Sequence, residues 1–255
     1  MKLLTSSLRM LADILMPPYC LVCEQSADSV TRLCKSCNAF MRQHRQINLE
    51  PDGQNLQRCL RCAVDLDSGL SDGALHCAQC IKQPPRFHCC VTATSYNPLT
   101  GKLLNQLKHH SKLSATVPMA ANMVDAIQAH YAHSPATIDL VIPVPLHIDR
   151  LRQRGFNQAN EIAKPICKAL GLQLAFNLCE RRFDNPPQQR AGLTARHKNL
   201  RGAFIAHKDV KGKYIAIVDD VVTTGATANA VTKSLLDAGA ARCDIWCFSR
   251  TPRKQ

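Results

Sequence analysis

Tyr214–Thr227 reads YIAIVDDVVTTGAT. The apolar, β-rich run Tyr214–Val218 predicts a buried strand, and it ends in two adjacent carboxylates, Asp219 and Asp220. A short turn follows, Thr223-Thr224-Gly225-Ala226-Thr227. The spacing of Val231, Leu235 and Ala238 then predicts a helix stopped by Gly239. In open α/β sheets ligands bind beyond the carboxyl ends of the strands. Paired acids at that edge can accept hydrogen bonds from the 2′ and 3′ hydroxyls of a ribose. The first amides of the following helix have no intrahelical acceptor and form an anion site. Gly225 lets the backbone approach closely, and Thr223, Thr224 and Thr227 add hydroxyl donors. The stretch therefore predicts a grip on a phosphorylated sugar. The plainer alternative, a buried strand before a threonine-capped helix, does not call for two acids ahead of the turn.

Working outward, the pattern around this stretch alternates strands and helices. Cys89–Ser95 and Ile138–Val144 read as strands. Leu99, Leu103, Leu104 and Leu107 mark one helix, and Met119, Met123 and Ile127 a second. Ala159, Ile162, Ala163, Ile166 and Leu170 mark a third, closed by Gly171. Leu172–Phe176 reads as a short strand and Cys243–Phe248 as the last one. Such alternation predicts a parallel sheet flanked by helices. Residues 180–201, charged and Gln-rich with two prolines, read as a mobile loop. Between the second strand and the third helix lies PVPLHIDRLRQRGFNQA, residues 143–159. It carries a loop with Pro145 and His147, then Arg150, Arg152 and Arg154 close together, with a helix expected from near Gly155. A basic loop at a second strand end would face a pyrophosphate; an exposed basic helix start is the bland alternative.

The first third of the chain has a different character. Of fourteen cysteines, eight fall in four Cys-x-x-Cys pairs: Cys20/Cys23, Cys34/Cys37, Cys59/Cys62 and Cys77/Cys80. Thiolate pairs of this kind supply tetrahedral zinc ligands, and eight of them fill two closed, structural sites. Taken in sequence order they give two ribbons; interleaving the first pair with the third is the alternative. Repeated Cys-x-x-Cys units do not suit a secreted disulfide scaffold, so a reducing, cytoplasmic setting is expected. Residues 19–83 hold many turn formers and few apolar runs, which implies folding around metal. Pro84 and Pro85 mark a boundary, giving an N-terminal unit over residues 1–85 and a second over 86–255.

In residues 1–16, Leu4, Leu8, Leu11 and Leu15 recur at helical spacing, while Arg9 and Asp13 interrupt the apolar run. That predicts an amphipathic helix rather than a secretion signal, and no stretch is expected to insert into a membrane. The net charge is +13, distributed unevenly. Residues 1–90 hold 10 basic and 8 acidic side chains, and residues 91–255 hold 22 and 11. The excess lies with the Asp219–Thr227 stretch and favours an anionic partner, a phosphorylated small molecule or a nucleic acid. Aromatic residues make up only 5%, which weakens a base-stacking role.

Taken together, the four cysteine pairs, PVPLH followed by RLRQRGFNQA, the later QQRAGLTARHKNLRGAF and VDDVVTTGAT resemble the ComF family of competence-associated phosphoribosyltransferase homologues (the ComFC- and GntX-like proteins). The resemblance covers nearly the whole chain. It implies a type I phosphoribosyltransferase fold over roughly residues 90–250, preceded by a zinc-ribbon domain. It also implies a role in DNA uptake, DNA utilisation or natural transformation. Carried over, it puts phosphoribosyl pyrophosphate (PRPP), with Mg²⁺, on Asp219 and Asp220 for the ribose and on Thr223, Thr224, Gly225, Ala226 and Thr227 for the 5′-phosphate. Asp219 and Asp220 would also carry any catalysis. The pyrophosphate falls to Val144, Pro145, Leu146 and His147, with Arg152 and Arg154. Gln189, Thr194, Arg196 and Asn199 match the loop that closes over the ribose, and Lys108 matches a basic position after the first helix. Two further readings go with the family: a factor handling single-stranded DNA beside uptake or recombination proteins, and a PRPP-sensing regulator without turnover.

Overall fold

The structure is a computed structural model that describes residues 18–43, 58–66, 75–133, 135–183, 200 and 202–252. The expected helix over residues 1–16 and the loop residues Gln189, Thr194, Arg196 and Asn199 lie outside the described residues.

Among the described residues six strands form: β1 (Cys90–Ser95), β2 (Leu140–Pro143), β3 (Cys179–Arg181), β4 (Phe204–Ala206), β5 (Tyr214–Val222) and β6 (Arg242–Arg250). Four of them make a parallel sheet in the order β1-β6-β5-β2, with Ile217 of β5 set between Ile142 of β2 and Ile245 of β6. The central strands are buried on both sides, which is why they read as apolar runs without alternation. The α/β expectation is met. The remaining two strands form a small antiparallel pair, β3 with β4, that brackets the region read as a loop: β3 overlaps its first residues and β4 follows its end. Leu172–Phe176 is not a strand; it contributes one bridge, Leu174 to Val141.

The helices are α1 (Lys35–Gln43), α2 (Ala78–Lys82), α3 (Pro98–His109), α4 (Thr116–His133), α5 (Ile148–Arg154), α6 (Gln158–Leu170) and α7 (Ala226–Asp237). α3 begins in a reciprocal cap: the Asn97 side chain accepts from the Leu99 and Thr100 amides, and the Thr100 hydroxyl accepts from the Asn97 amide. Gly155 does not open a helix as expected. At φ +80° it is the left-handed stop of α5, and the next helix starts at Gln158 behind an Asn157 cap. The three arginines thus sit on a short helix of their own.

Two cores lie on opposite faces of the sheet. Val141, Ala216, Val218, Trp246 and Phe248 pack with α3, α4 and α6 on one face, together with Cys20, Leu21, Leu33, Cys34 and Met41. Ile142, Ile215, Ile217, Ile245 and Cys247 pack with α7 on the other, together with Cys59, Cys62, Cys77, Cys80 and Phe87. Each cysteine-rich unit therefore adds to one face of the same sheet. None of the described helices is long and apolar enough to cross a membrane.

Candidate functional site

β2 ends early. Its last residue, Pro143, pairs with Val218, and the Val144 amide makes the final bond to Val218 O at 2.9 Å. β5 continues on its β6 side to Val222, four residues past the strand end read from the sequence. Asp219 and Asp220 thus lie within β5, just where it loses β2 as a neighbour. The loop Val144–His147 leaves β2 beside them and is held by Asn157 Nδ2 donating to Val144 O at 3.0 Å.

Asp220 is buried, and the Lys108 ammonium from the last turn of α3 lies 2.6 Å from its Oδ2. Two neighbouring carboxylates repel, and one cation between them lowers that cost. Burial pushes the Asp219 carboxyl well above the usual carboxylate range; the charge of Asp220 adds to the rise and Lys108 opposes it. The folded chain then holds this proton at pH values where the unfolded chain has lost it. Stability from this group is full below the unfolded pKa and is lost as pH rises through the raised folded value. Urea unfolding midpoints should therefore fall in the wild type relative to Asp219→Asn as pH rises above the ordinary carboxylate pKa of about 4. Parallel pH profiles would contradict the raised carboxyl.

After Val222 the chain turns through Gly225, at φ +79°, into α7 with no side-chain cap. A left-handed residue here would strain any side chain, although nothing lies within 4 Å of a Cβ at this position. The Thr224 hydroxyl accepts from the Ala226 amide at 3.2 Å. The Ala226 amide is thus engaged within the turn, and the Thr224 hydroxyl keeps its own proton to donate. The exposed Thr223 and the partly exposed Gly225 and Thr227 line the open side.

The expected pyrophosphate residues divide. Val144–His147 come to the site with the end of β2. His147 caps α5, its Nδ1 facing the Asp149 amide at 3.4 Å. The described contacts of the arginines are local: Arg152 with Asp149 at 3.7 Å, and Arg154 Nη1 donating to Gln158 Oε1 at 2.5 Å.

The eight paired cysteines form two groups in sequence order, Cys20/Cys23/Cys34/Cys37 and Cys59/Cys62/Cys77/Cys80, with the sulfurs of each group within 4.8 Å of one another. The interleaved alternative is ruled out. A tetrahedron of thiolates about 2.3 Å from zinc has sulfur–sulfur edges of about 3.8 Å. Cys23–Cys34 at 3.6 Å, Cys23–Cys37 at 3.7 Å and Cys62–Cys77 at 3.7 Å fit it. The two first knuckles share one backbone form. Cys20 and Cys59 amides bond to Gln25 and Val64 carbonyls, and the residue after each knuckle, Glu24 or Ala63, is left-handed. Each second pair opens a helix, α1 or α2. Four thiolates leave no open position, so zinc here would hold the fold rather than act on a substrate. The second group is wholly buried, whereas Cys23 of the first is exposed.

One participant was missed. Arg250, the last residue of β6, is buried, and its guanidinium donates to the carbonyls of Val222 and Thr223 under the turn. Its only trace in the sequence is a cation closing an apolar strand.

No family model matches the chain. It is 32% identical to the DNA utilization protein YhgH of Shigella flexneri over 179 residues, 69% of this chain and 78% of that protein. It is 29% identical to the YhgH of Salmonella typhi over 239 residues, 92% and 98% of the two. Competence protein F of Haemophilus influenzae is 28% identical over 187 residues, 72% and 82%. Among solved structures, a purine phosphoribosyltransferase from Pyrococcus horikoshii Ot3 aligns with 53% of this chain and 83% of its own at 17% identity and a TM-score of 0.33.

Proposed function

The chain belongs to the ComF family of competence-associated proteins, and on that premise we propose that it is a phosphoribosyltransferase-like protein that binds PRPP and acts in the uptake or use of external DNA. One observation carries the reading. Asp219 and Asp220 stand past the end of β2, four residues or fewer before a Gly225-hinged turn that opens a helix whose first amides have no intrahelical acceptor. That spacing suits a pentose between its hydroxyls and its 5′-phosphate. The acids accept from the vicinal hydroxyls. Thr223, Gly225 and Thr227 offer donors to the phosphate, aided by the positive end of α7.

Mg²⁺ fits the donor set, since it is usually held by one or two carboxylates together with substrate phosphates; bound, it would neutralise pyrophosphate charge. Asp219 and Asp220 are the residues that would hold it, directly or through water. The reaction such a site supports is displacement at C1′: the C1′–O bond breaks with its electron pair leaving on pyrophosphate, cationic character grows on the sugar, and a nucleophilic atom of an acceptor supplies the pair for the new bond to C1′. This chain's part is positioning and charge: the acids fix the ring, Lys108 holds Asp220, and Arg152 and Arg154 stand on the helix after the β2 loop, where a departing anion would need cations. The DNA role rests on the names of the relatives and on the basic excess of residues 91–255.

Calorimetric titration of the zinc-loaded chain with PRPP and Mg²⁺ tests the reading. Saturable binding with one site per chain is expected; absence of heat and of any thermal stabilisation by PRPP would overturn it.

A further inference from the structure

Arg250 joins the second cysteine group to the turn that follows β5. Its Nε donates to the carbonyl of Cys62, within the second cysteine group, at 2.9 Å. Its Nη1 donates to Val222 O at 3.0 Å, to Thr251 O at 2.8 Å and to Thr223 O. Arg250 is buried and its guanidinium faces these backbone carbonyls from beneath the turn.

The consequence for the turn follows from peptide geometry. In a planar trans peptide the C=O of one residue and the N–H of the next point in opposite directions. Arg250 draws the Thr223 carbonyl inward and, together with the Thr251 amide at 3.0 Å, the Val222 carbonyl, which turns the Thr223 and Thr224 amides outward. A buried cation behind these peptides also favours an anion in front of them. The same knuckle is fastened on two more sides. Arg58 and Asp65 flank it and lock onto Ser95 at the end of β1, with Arg58 Nη2 to Ser95 Oγ at 2.7 Å and Ser95 Oγ to Asp65 Oδ2 at 2.8 Å. Beyond α2, the Arg86 amide donates to Asn229 Oδ1, in the first turns of α7, at 2.5 Å. Among the described residues the first cysteine group shows no such bond to the turn: its knuckle carbonyls at Leu21 and Val22 accept from Gln106 and Lys102 of α3, the helix whose Lys108 pairs with Asp220.

We propose that Arg250 is a positioning residue that couples metal in the second cysteine group to anion binding on the Thr223–Thr227 turn, each strengthening the other. The proposal rests on the PRPP reading of that turn. Coupling of this kind is reciprocal. Zinc in the second group holds Cys62 and thus the guanidinium; a phosphate on the turn fixes the same peptides and thus retards metal loss.

The test uses the full-length zinc-loaded chain, a zinc-selective chelator and N-ethylmaleimide, with alkylation of each cysteine followed by peptide mass spectrometry. PRPP with Mg²⁺ is expected to slow alkylation of Cys59, Cys62, Cys77 and Cys80 by about tenfold, and that of Cys20, Cys23, Cys34 and Cys37 far less. Arg250→Met should keep both zinc ions, lose this protection and bind PRPP about tenfold more weakly; Arg250→Lys, with fewer donors, should fall between. The protection measurement needs no variant, so it tests the coupling itself even where Arg250→Met does not fold, and Arg250→Lys, which keeps the buried cation, then tests the part of Arg250. Unchanged alkylation in a chain that binds PRPP by calorimetry overturns the coupling and leaves the PRPP reading intact. A chain that binds no PRPP overturns both.

Discussion

A Cys59→Ser, Cys62→Ser chain is expected to be unfolded rather than merely short of metal. All four sulfurs of that group are buried, and they belong to the same core as Ile142, Ile215, Ile217 and Ile245 of the sheet. Structural zinc in small thiolate sites is worth about 10–16 kcal/mol. A whole domain is stable by only about 5–15 kcal/mol. Losing the site therefore removes more free energy than the fold has to spare, and it strips one face of the sheet of its cover. Far-UV circular dichroism and thermal melting check this. A cooperative melt near that of the wild type would mean that the second ribbon stands apart from the sheet. The corresponding change at Cys23 should be milder, because that thiol is exposed and its unit lies at the edge of the other core.

The second large effect concerns Asp219 and Asp220, and its sign depends on the ligand. Removing two carboxylates from a basic site makes it more attractive to any anion, so inorganic phosphate should bind the Asp219→Asn, Asp220→Asn chain at least as well as the wild type. PRPP and ribose 5-phosphate should bind it far less well, since their hydroxyls lose the charged Asp220 acceptor, paired with Lys108, and the Asp219 carboxyl beside it. A hydrogen bond to a charged group contributes about 1.5–3 kcal/mol and one to a neutral group about 0.5–1.5 kcal/mol, so one of each amounts to a loss of about one to three orders of magnitude. The variant also frees Lys108 from its partner; Lys108 is partly exposed and can turn to water. Parallel titrations with phosphate and with PRPP separate the cases. An equal loss for both ligands would indicate a collapsed turn rather than missing sugar contacts.

Much of the sheet was legible because its strands are buried on both faces and must be apolar. Tyr214–Val218, Ile138–Val144 and Cys243–Phe248 each mark a strand of the final structure, and Gly171 closes α6 where the periodicity stops. The ends were less legible. β5 extends through Asp219 and Asp220 because β6 pairs with it as far as Arg250, and pairing across strands leaves no mark in the local sequence. Gly155 was misplaced because a left-handed glycine stops one helix as readily as it precedes another. The cysteine groups were legible from spacing alone, but not their attachment to opposite faces of the sheet. Arg250 was invisible for the same reason as the end of β5: its four acceptors are backbone carbonyls, which any residue provides, brought together from three parts of the chain.

The most direct measurement is a crystal structure of the zinc-loaded chain with PRPP and Mg²⁺. The account predicts the 5′-phosphate on the amides of Thr223–Thr227 and the ribose hydroxyls facing Asp219 and Asp220. A phosphate bound elsewhere, or a ring turned away from both acids, would contradict it.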